Sequence, residues 1–176
     1  MENILDKVFE VSLRGKVSFL LRLAEQVFNE IEDRQPGSGF ARSALDLCWK
    51  WVEGADVSGD DLYFTLENED DTGLIYYGED APDNSSELSS WNTIITSVMY
   101  VSWAAYKNSG EVYFPQTIEG IDDSVIEYLH QCFCQTDSFK EGLESSIIEF
   151  LLKAHKASGP DDLGLPLSKK ELIEIG

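Results

Sequence analysis

Between Lys50 and Lys107 the chain contains neither a lysine nor an arginine. The same stretch holds twelve carboxylates: Glu53, Asp56, Asp60, Asp61, Glu67, Glu69, Asp70, Asp71, Glu79, Asp80, Asp83 and Glu87. The rest of the chain carries 21 acidic and 13 basic residues, so the formal charge of −20 is concentrated in the middle. Nucleic acid and anionic membrane surfaces call for clustered Lys and Arg, and neither partner is expected here. Packing so many like charges together costs self-repulsion, which points to a surface kept for a basic partner or a cation. The competing reading is a solvated acidic loop that serves solubility, the commonest meaning of a charge run.

Other absences narrow the classes further. No run of 18 or more apolar residues exists, so no membrane-spanning helix is expected. The opening MENILDKVFEV lacks the basic region, apolar region and cleavage site of a signal peptide, which implies a cytoplasmic chain. Three cysteines, Cys48, Cys132 and Cys134, are few and odd in number. Free thiols in a reducing compartment are the expectation, with Cys48 on an apolar helix face. Gly37-Ser38-Gly39 lacks the third glycine and preceding strand of a dinucleotide fingerprint, and there is no Walker-type lysine. Cys48 paired with His130 or His155 is the one conceivable nucleophile pair, yet its neighbours Leu47, Trp49 and Trp51 imply a buried, inert thiol. Neither an enzyme nor a cofactor is indicated.

What the chain does have is an uncharged stretch, LSSWNTIITSVMYVSWAAY, over residues 88–106. Apolar side chains fall on every face of the implied helix, so it reads as the buried centre of an all-α domain. Around it, Val17, Leu20, Leu21, Ala24, Val27, Phe28 and Ile31 repeat at three- and four-residue steps and predict a helix over 16–34. Gly15 is expected to divide that helix from a short one carrying Ile4, Leu5, Val8 and Phe9. A helix over 40–52 follows, stopped by Gly54, and Ser58 with Asp61 forms a capping box that opens a short helix. Val112 to Phe114 is the sole hint of extended structure. Asp122 or Asp123 caps a helix through Val125, Ile126, Leu129, Cys132 and Phe133. A last long helix over 138–157 is expected to bury Leu143, Ile147, Phe150, Leu151 and Ala154. The organisation predicted is one compact multi-helix domain over 1–158. A C-terminal arm over 159–176 follows, with a short terminal helix that Ser168 and Glu171 cap as a box.

Two metal patterns are present. Asn68, Asp70, Thr72, Gly73, Ile75 and Glu79 fall on the first, third, fifth, sixth, eighth and twelfth positions of a calcium-binding EF-hand loop. Asn at the first position, Thr at the fifth and a short entering helix weaken the match, and an acidic turn is the simpler reading. A small helical calcium-binding or scaffold protein using residues 68–79 is nevertheless the alternative function. His130, Cys132 and Cys134 resemble a metal set, but on a helix His130 and Cys134 share a face while Cys132 points away. No fourth ligand is evident, so no metal site is assigned.

The block ALDLCWKWVEGADVSGDDLYFTLENEDDTGLIYY over residues 44–77 resembles a family of bacterial immunity proteins from polymorphic toxin systems, the Imm family numbered six. The likeness rests on Cys48-Trp49-Lys50-Trp51-Val52-Glu53-Gly54, on Ser58-Gly59-Asp60-Asp61-Leu62-Tyr63, and on Glu69-Asp70 and Thr72-Gly73-Leu74. It continues through the Trp91 helix to Ala104-Ala105-Tyr106, departing at Val57, at Phe64 and at the uncharged Ser102-Trp103. What the resemblance implies is a small, mostly helical, cytoplasmic protein that neutralises a cognate toxin domain by binding it, with no catalytic residues of its own. Charge complementarity nominates the toxin-binding residues: Asp56, Asp60, Asp61, Glu67, Glu69, Asp70, Asp71, Glu79, Asp80 and Asp83.

Overall fold

Ser85 accepts the Leu88 N–H through its hydroxyl at 3.0 Å and opens the longest helix of the molecule. In the computed structural model, which describes residues 3–176, that helix spans Ser86–Ser109 and ends where Gly110 turns into the left-handed region. Met1 and Glu2, the first residues of the expected domain, lie outside the described residues. Ten α-helices run among the described residues in the order α1 (Ile4–Val8), α2 (Leu13–Val27), α3 (Gly37–Val52), α4 (Gly59–Leu66), α5 (Leu74–Gly78), α6 (Ser86–Ser109), α7 (Gln116–Glu119), α8 (Val125–Cys134), α9 (Leu143–Ala154) and α10 (Lys169–Ile173). Among the described residues there is no named strand, only an isolated bridge between Val11 and Lys156. The fold is all-α. No described helix is long and apolar enough to cross a membrane.

α6 sits at the centre and touches α2, α3, α4, α5, α7 and α8. From residue 88 to 106 no side chain is fully exposed, because neighbours cover the helix on every side. Its small polar residues make this possible at little cost. Thr93 and Ser97 donate to the carbonyls one turn back, each at 2.8 Å, and Ser102 donates to Gly59 O at 3.1 Å. These three buried hydroxyls are thereby satisfied, while that of Ser90 is buried without a partner among the described residues, and short side chains let α2 and α4 approach closely. Asn92, Ile95, Met99 and Trp103 form a half-buried stripe down one side. The helix is therefore enclosed, though less completely along that line.

α2 is a second interior helix, which its stripe alone did not foretell. Phe19, Leu23, Ser18 and Arg22 are buried along with the expected stripe, so the helix is covered nearly all round. Arg22 is tolerated inside because the chain's end supplies acceptors: its guanidinium donates to Leu172 O at 3.1 Å and to Ile175 O at 2.9 Å. Gly15 lies inside the first turn of α2, and the break falls earlier, where Ser12 accepts the Gly15 N–H at 3.2 Å. α2 also stops at Val27, seven residues short of expectation, and a 3-10 turn over Phe28–Glu30 carries the chain on.

Other boundaries moved for local reasons. Residues 112–114 form no strand among the described residues, and Val112 and Tyr113 stand in solvent. Asp122 accepts the Ser124 N–H at 2.8 Å ahead of α8, whereas Asp123 is drawn to Tyr100 and Lys16, so neither aspartate is the N-cap. α9 begins at Leu143 because Gly142 is left-handed, and Ala154 at its end is exposed. Ser168 occupies the N-cap of α10 without a side-chain cap bond. The segment from 159 runs back along α2, with Asp162 O and Leu163 O accepting the Leu13 and Arg14 N–H groups at 2.9 Å, and buries Leu167 and Leu172.

Candidate functional site

The acidic part of the lysine-free span, residues 56–83, folds into α4, the loop 67–73, α5 and the turn before α6. Ser58 and Asp61 start it as a reciprocal capping box: the Ser58 hydroxyl accepts the Asp61 N–H, and Asp61 accepts the Ser58 N–H, each at 3.0 Å. Those bonds hold the Asp61 carboxyl below the usual aspartate range. α4 then buries Leu62 and Leu66, one turn apart, against α6. Asn68 organises the loop: its side-chain oxygen accepts from the Asp70 N–H at 3.0 Å and from the Thr72 N–H and hydroxyl at 3.2 Å. That is the oxygen a calcium ion would need at the first loop position. Gly73 closes the loop against α4, where a Cβ would lie 2.2 Å from Leu66 O.

Asp56, Asp60, Asp61, Glu67, Glu69, Asp70, Asp71, Glu79, Asp80 and Asp83 are all exposed. Among the described residues none of the ten is in an ion pair. Glu87 differs, because Arg34 reaches in from outside the span and pairs with it at 2.9 Å. Three of the ten have internal work. Asp60 accepts the Tyr106 hydroxyl at 2.5 Å, Glu67 accepts Tyr63 at 3.0 Å and Thr117 at 2.8 Å, and Asp61 caps α4. Burial and the neighbouring carboxylates push the Tyr63 and Tyr106 phenols up. Glu67, Asp71 and Glu79 line one shallow depression of about 160 Å³ with Ile75 and Tyr76, while Asp80 lines another beside Arg34 and Tyr77.

The charge map passed over aromatic groups on the same elements. Phe64 is 59% exposed and Tyr76 is 50% exposed. Tyr76 meets Tyr77 edge-on at 5.3 Å, and Tyr77 stacks on Phe40 from α3 at 5.5 Å. Phe64 was findable from the sequence: midway between Leu62 and Leu66, it must face away from the buried side of a helix. The Tyr76–Tyr77–Phe40 group was not, since it joins residues far apart in the chain.

Elsewhere, a cavity of about 380 Å³ between the α1–α2 junction, Trp103 and the C-terminal segment contains Lys16 and Lys107. Its lysines are engaged internally, Lys16 with Asp123 at 2.6 Å and Lys107 with Asp161 at 3.9 Å. Cys48 is buried, and its thiol is pushed far up by desolvation, which removes it as a nucleophile. His130 and Cys134 do share a face, and Glu144 from α9 joins them.

A family model described as Immunity protein Imm6 matches residues 15–136, from the first turn of α2 to just past α8. No curated protein and no solved structure matches the chain.

Proposed function

The chain belongs to the Imm6 family of immunity proteins, and from that premise we propose that it binds and neutralises a cognate toxin domain through the acidic face of residues 56–83. Immunity proteins generally act by binding rather than catalysis. The observation that carries the reading is the set of ten exposed carboxylates that, among the described residues, make no ion pair, whereas Glu10, Glu25, Asp33, Asp46, Glu87, Asp123, Glu149 and Asp161 each pair with a lysine or arginine. Such a surface repels itself and gains most from a basic partner. A toxin that cuts or modifies nucleic acid holds phosphate in a cationic cleft, and a carboxylate face fits that cleft in place of substrate. Phe64 and Tyr76 add apolar anchors among the charges, the residue type that concentrates binding energy at interfaces. The toxin is a domain of a polymorphic toxin system used in competition between bacteria, and the complex forms in the cytoplasm.

The test is rescue of cells that express the cognate toxin. Glu69, Asp70, Asp80 and Asp83 are the right residues to reverse together, because none makes a side-chain bond that holds the fold. Asp60 and Asp61 are unsuitable, since their loss also removes the Tyr106 contact and the α4 cap. The quadruple Lys variant, folded by circular dichroism, is expected to lose protection. Full protection by that variant would refute the acidic face as the docking site.

A further inference from the structure

We propose that His130, Cys134 and Glu144 bind a single divalent ion of the zinc class. α8 sets His130 and Cys134 one turn apart on one face, and the first turn of α9 brings Glu144 against them. Glu144 Oε1 lies 2.7 Å from His130 Nδ1, and Cys134 Sγ lies 3.8 Å from the same nitrogen. All three ligand atoms fall within 4.8 Å of one another. Zinc bonds of about 2.3 Å to sulfur and about 2.0–2.1 Å to nitrogen or oxygen give tetrahedral edges of about 3.6 Å and about 3.3 Å. The sulfur–nitrogen edge is already that long. The nitrogen–oxygen edge opens by about 0.6 Å when the ion takes the place of the proton now held between Nδ1 and Oε1.

Charge and ligand type agree with that assignment. A thiolate, a carboxylate and a neutral imidazole together carry two negative charges, which a dication cancels, and binding releases the thiol proton and any imidazolium proton. One sulfur among the ligands disfavours calcium and magnesium, which take oxygen. Among the described residues Glu144 has no lysine or arginine partner, so its buried carboxylate depends on His130 alone. Cys134 is exposed and gives an ion its way in, while Cys132 is buried on the other side of α8. The bound ion would clamp α8 to α9 and leave a fourth position open to solvent.

The site is independent of the toxin-binding face and is tested without a toxin. Reduced, metal-free protein is titrated with cobalt(II) and then with zinc(II). Wild type is expected to take up one cobalt with a thiolate-to-metal charge-transfer band that zinc abolishes by displacement. Cys134→Ser is expected to lose the band, and Cys132→Ser to keep it. Glu144→Gln is expected to weaken zinc binding by about tenfold or more, the loss seen even for outer-sphere partners. Because Glu144 is buried, His130→Asn repeats that measurement at a half-buried position. A wild type without the band, a band that survives Cys134→Ser, or unchanged zinc affinity in both Glu144→Gln and His130→Asn would overturn the proposal.

Discussion

Glu25 is the residue whose loss should be felt furthest from where it occurs. Its carboxylate, on α2, accepts Arg42 Nη1 at 2.8 Å, Arg42 Nη2 at 2.5 Å and the Trp49 indole N–H at 2.9 Å, and it pairs with Lys169 Nζ at 3.0 Å. One side chain thus ties α2 to α3 and to the start of α10. Breaking a buried pair costs about 3–5 kcal/mol, but Arg42 and Lys169 are each 31% exposed and recover some hydration. The buried Trp49 N–H has no such recourse and contributes about 1–3 kcal/mol of desolvation when left unpaired. Glu25→Ala should therefore destabilise by about 2–4 kcal/mol, which at about 2–4 °C per kcal/mol lowers the melting temperature by roughly 5–15 °C.

The effect carries a pH signature. Burial pushes the Glu25 carboxyl up, yet the bonds and charges of Arg42 and Lys169 outweigh it, and the group lies below its ordinary value. A depressed carboxylate contributes stability that is fully present above the unfolded value of about 4.3 and is lost as pH falls through the lower folded value. The gap between wild type and Glu25→Gln in denaturant unfolding should be constant near neutrality and close in the acid range. A gap below about 0.5 kcal/mol at neutral pH, the level of an ordinary surface change, or one that widens in acid, would refute this account of the network.

Three further outcomes follow from the packing. Gly73→Ala must push a Cβ into Leu66 O, a backbone atom that cannot swing aside, so thermal melting should show a loss of about 1–3 kcal/mol. Trp91 is 2% exposed and should resist aqueous quenchers, whereas the half-buried Trp103 should be quenched in part, which single Trp→Phe variants will separate. Millimolar calcium should leave the melting temperature where a matched salt control puts it, because Asn68 already spends its oxygen on the loop. A calcium-specific rise that vanishes in Glu79→Gln would contradict that.

The all-α class, the central helix and the Ser58–Asp61 cap were legible because each is local: a run without charge, a three-residue spacing, a hydroxyl beside a helix start. The interior position of α2 was hidden by Arg22 and Ser18, which read as a polar face until residues 172–175 supply carbonyls for the guanidinium. Glu144 could not be tied to His130 from spacing, because a loop and a left-handed Gly142 decide where α9 begins. The same holds for Tyr77 and Phe40, whose stacking is set by how α3 and α5 pack. The ten carboxylates were fully legible as a charged surface, since unpaired acids go to water wherever the chain folds. Arg34 beside Glu87 was not, being a contact between segments far apart in the chain.

The acidic face is tested most directly by the association rate with the cognate toxin domain, measured at about 0.01 M and about 1 M salt, where charges are felt over about 30 Å and about 3 Å. Wild type is expected to associate at least about tenfold faster at the lower salt, because steering by the unpaired carboxylates sets the encounter. The variant with Glu69, Asp70, Asp80 and Asp83 reversed to lysine should lose most of that dependence while keeping its helical spectrum. Equal rates and equal salt slopes for the two folded proteins would show that the toxin is held by another surface.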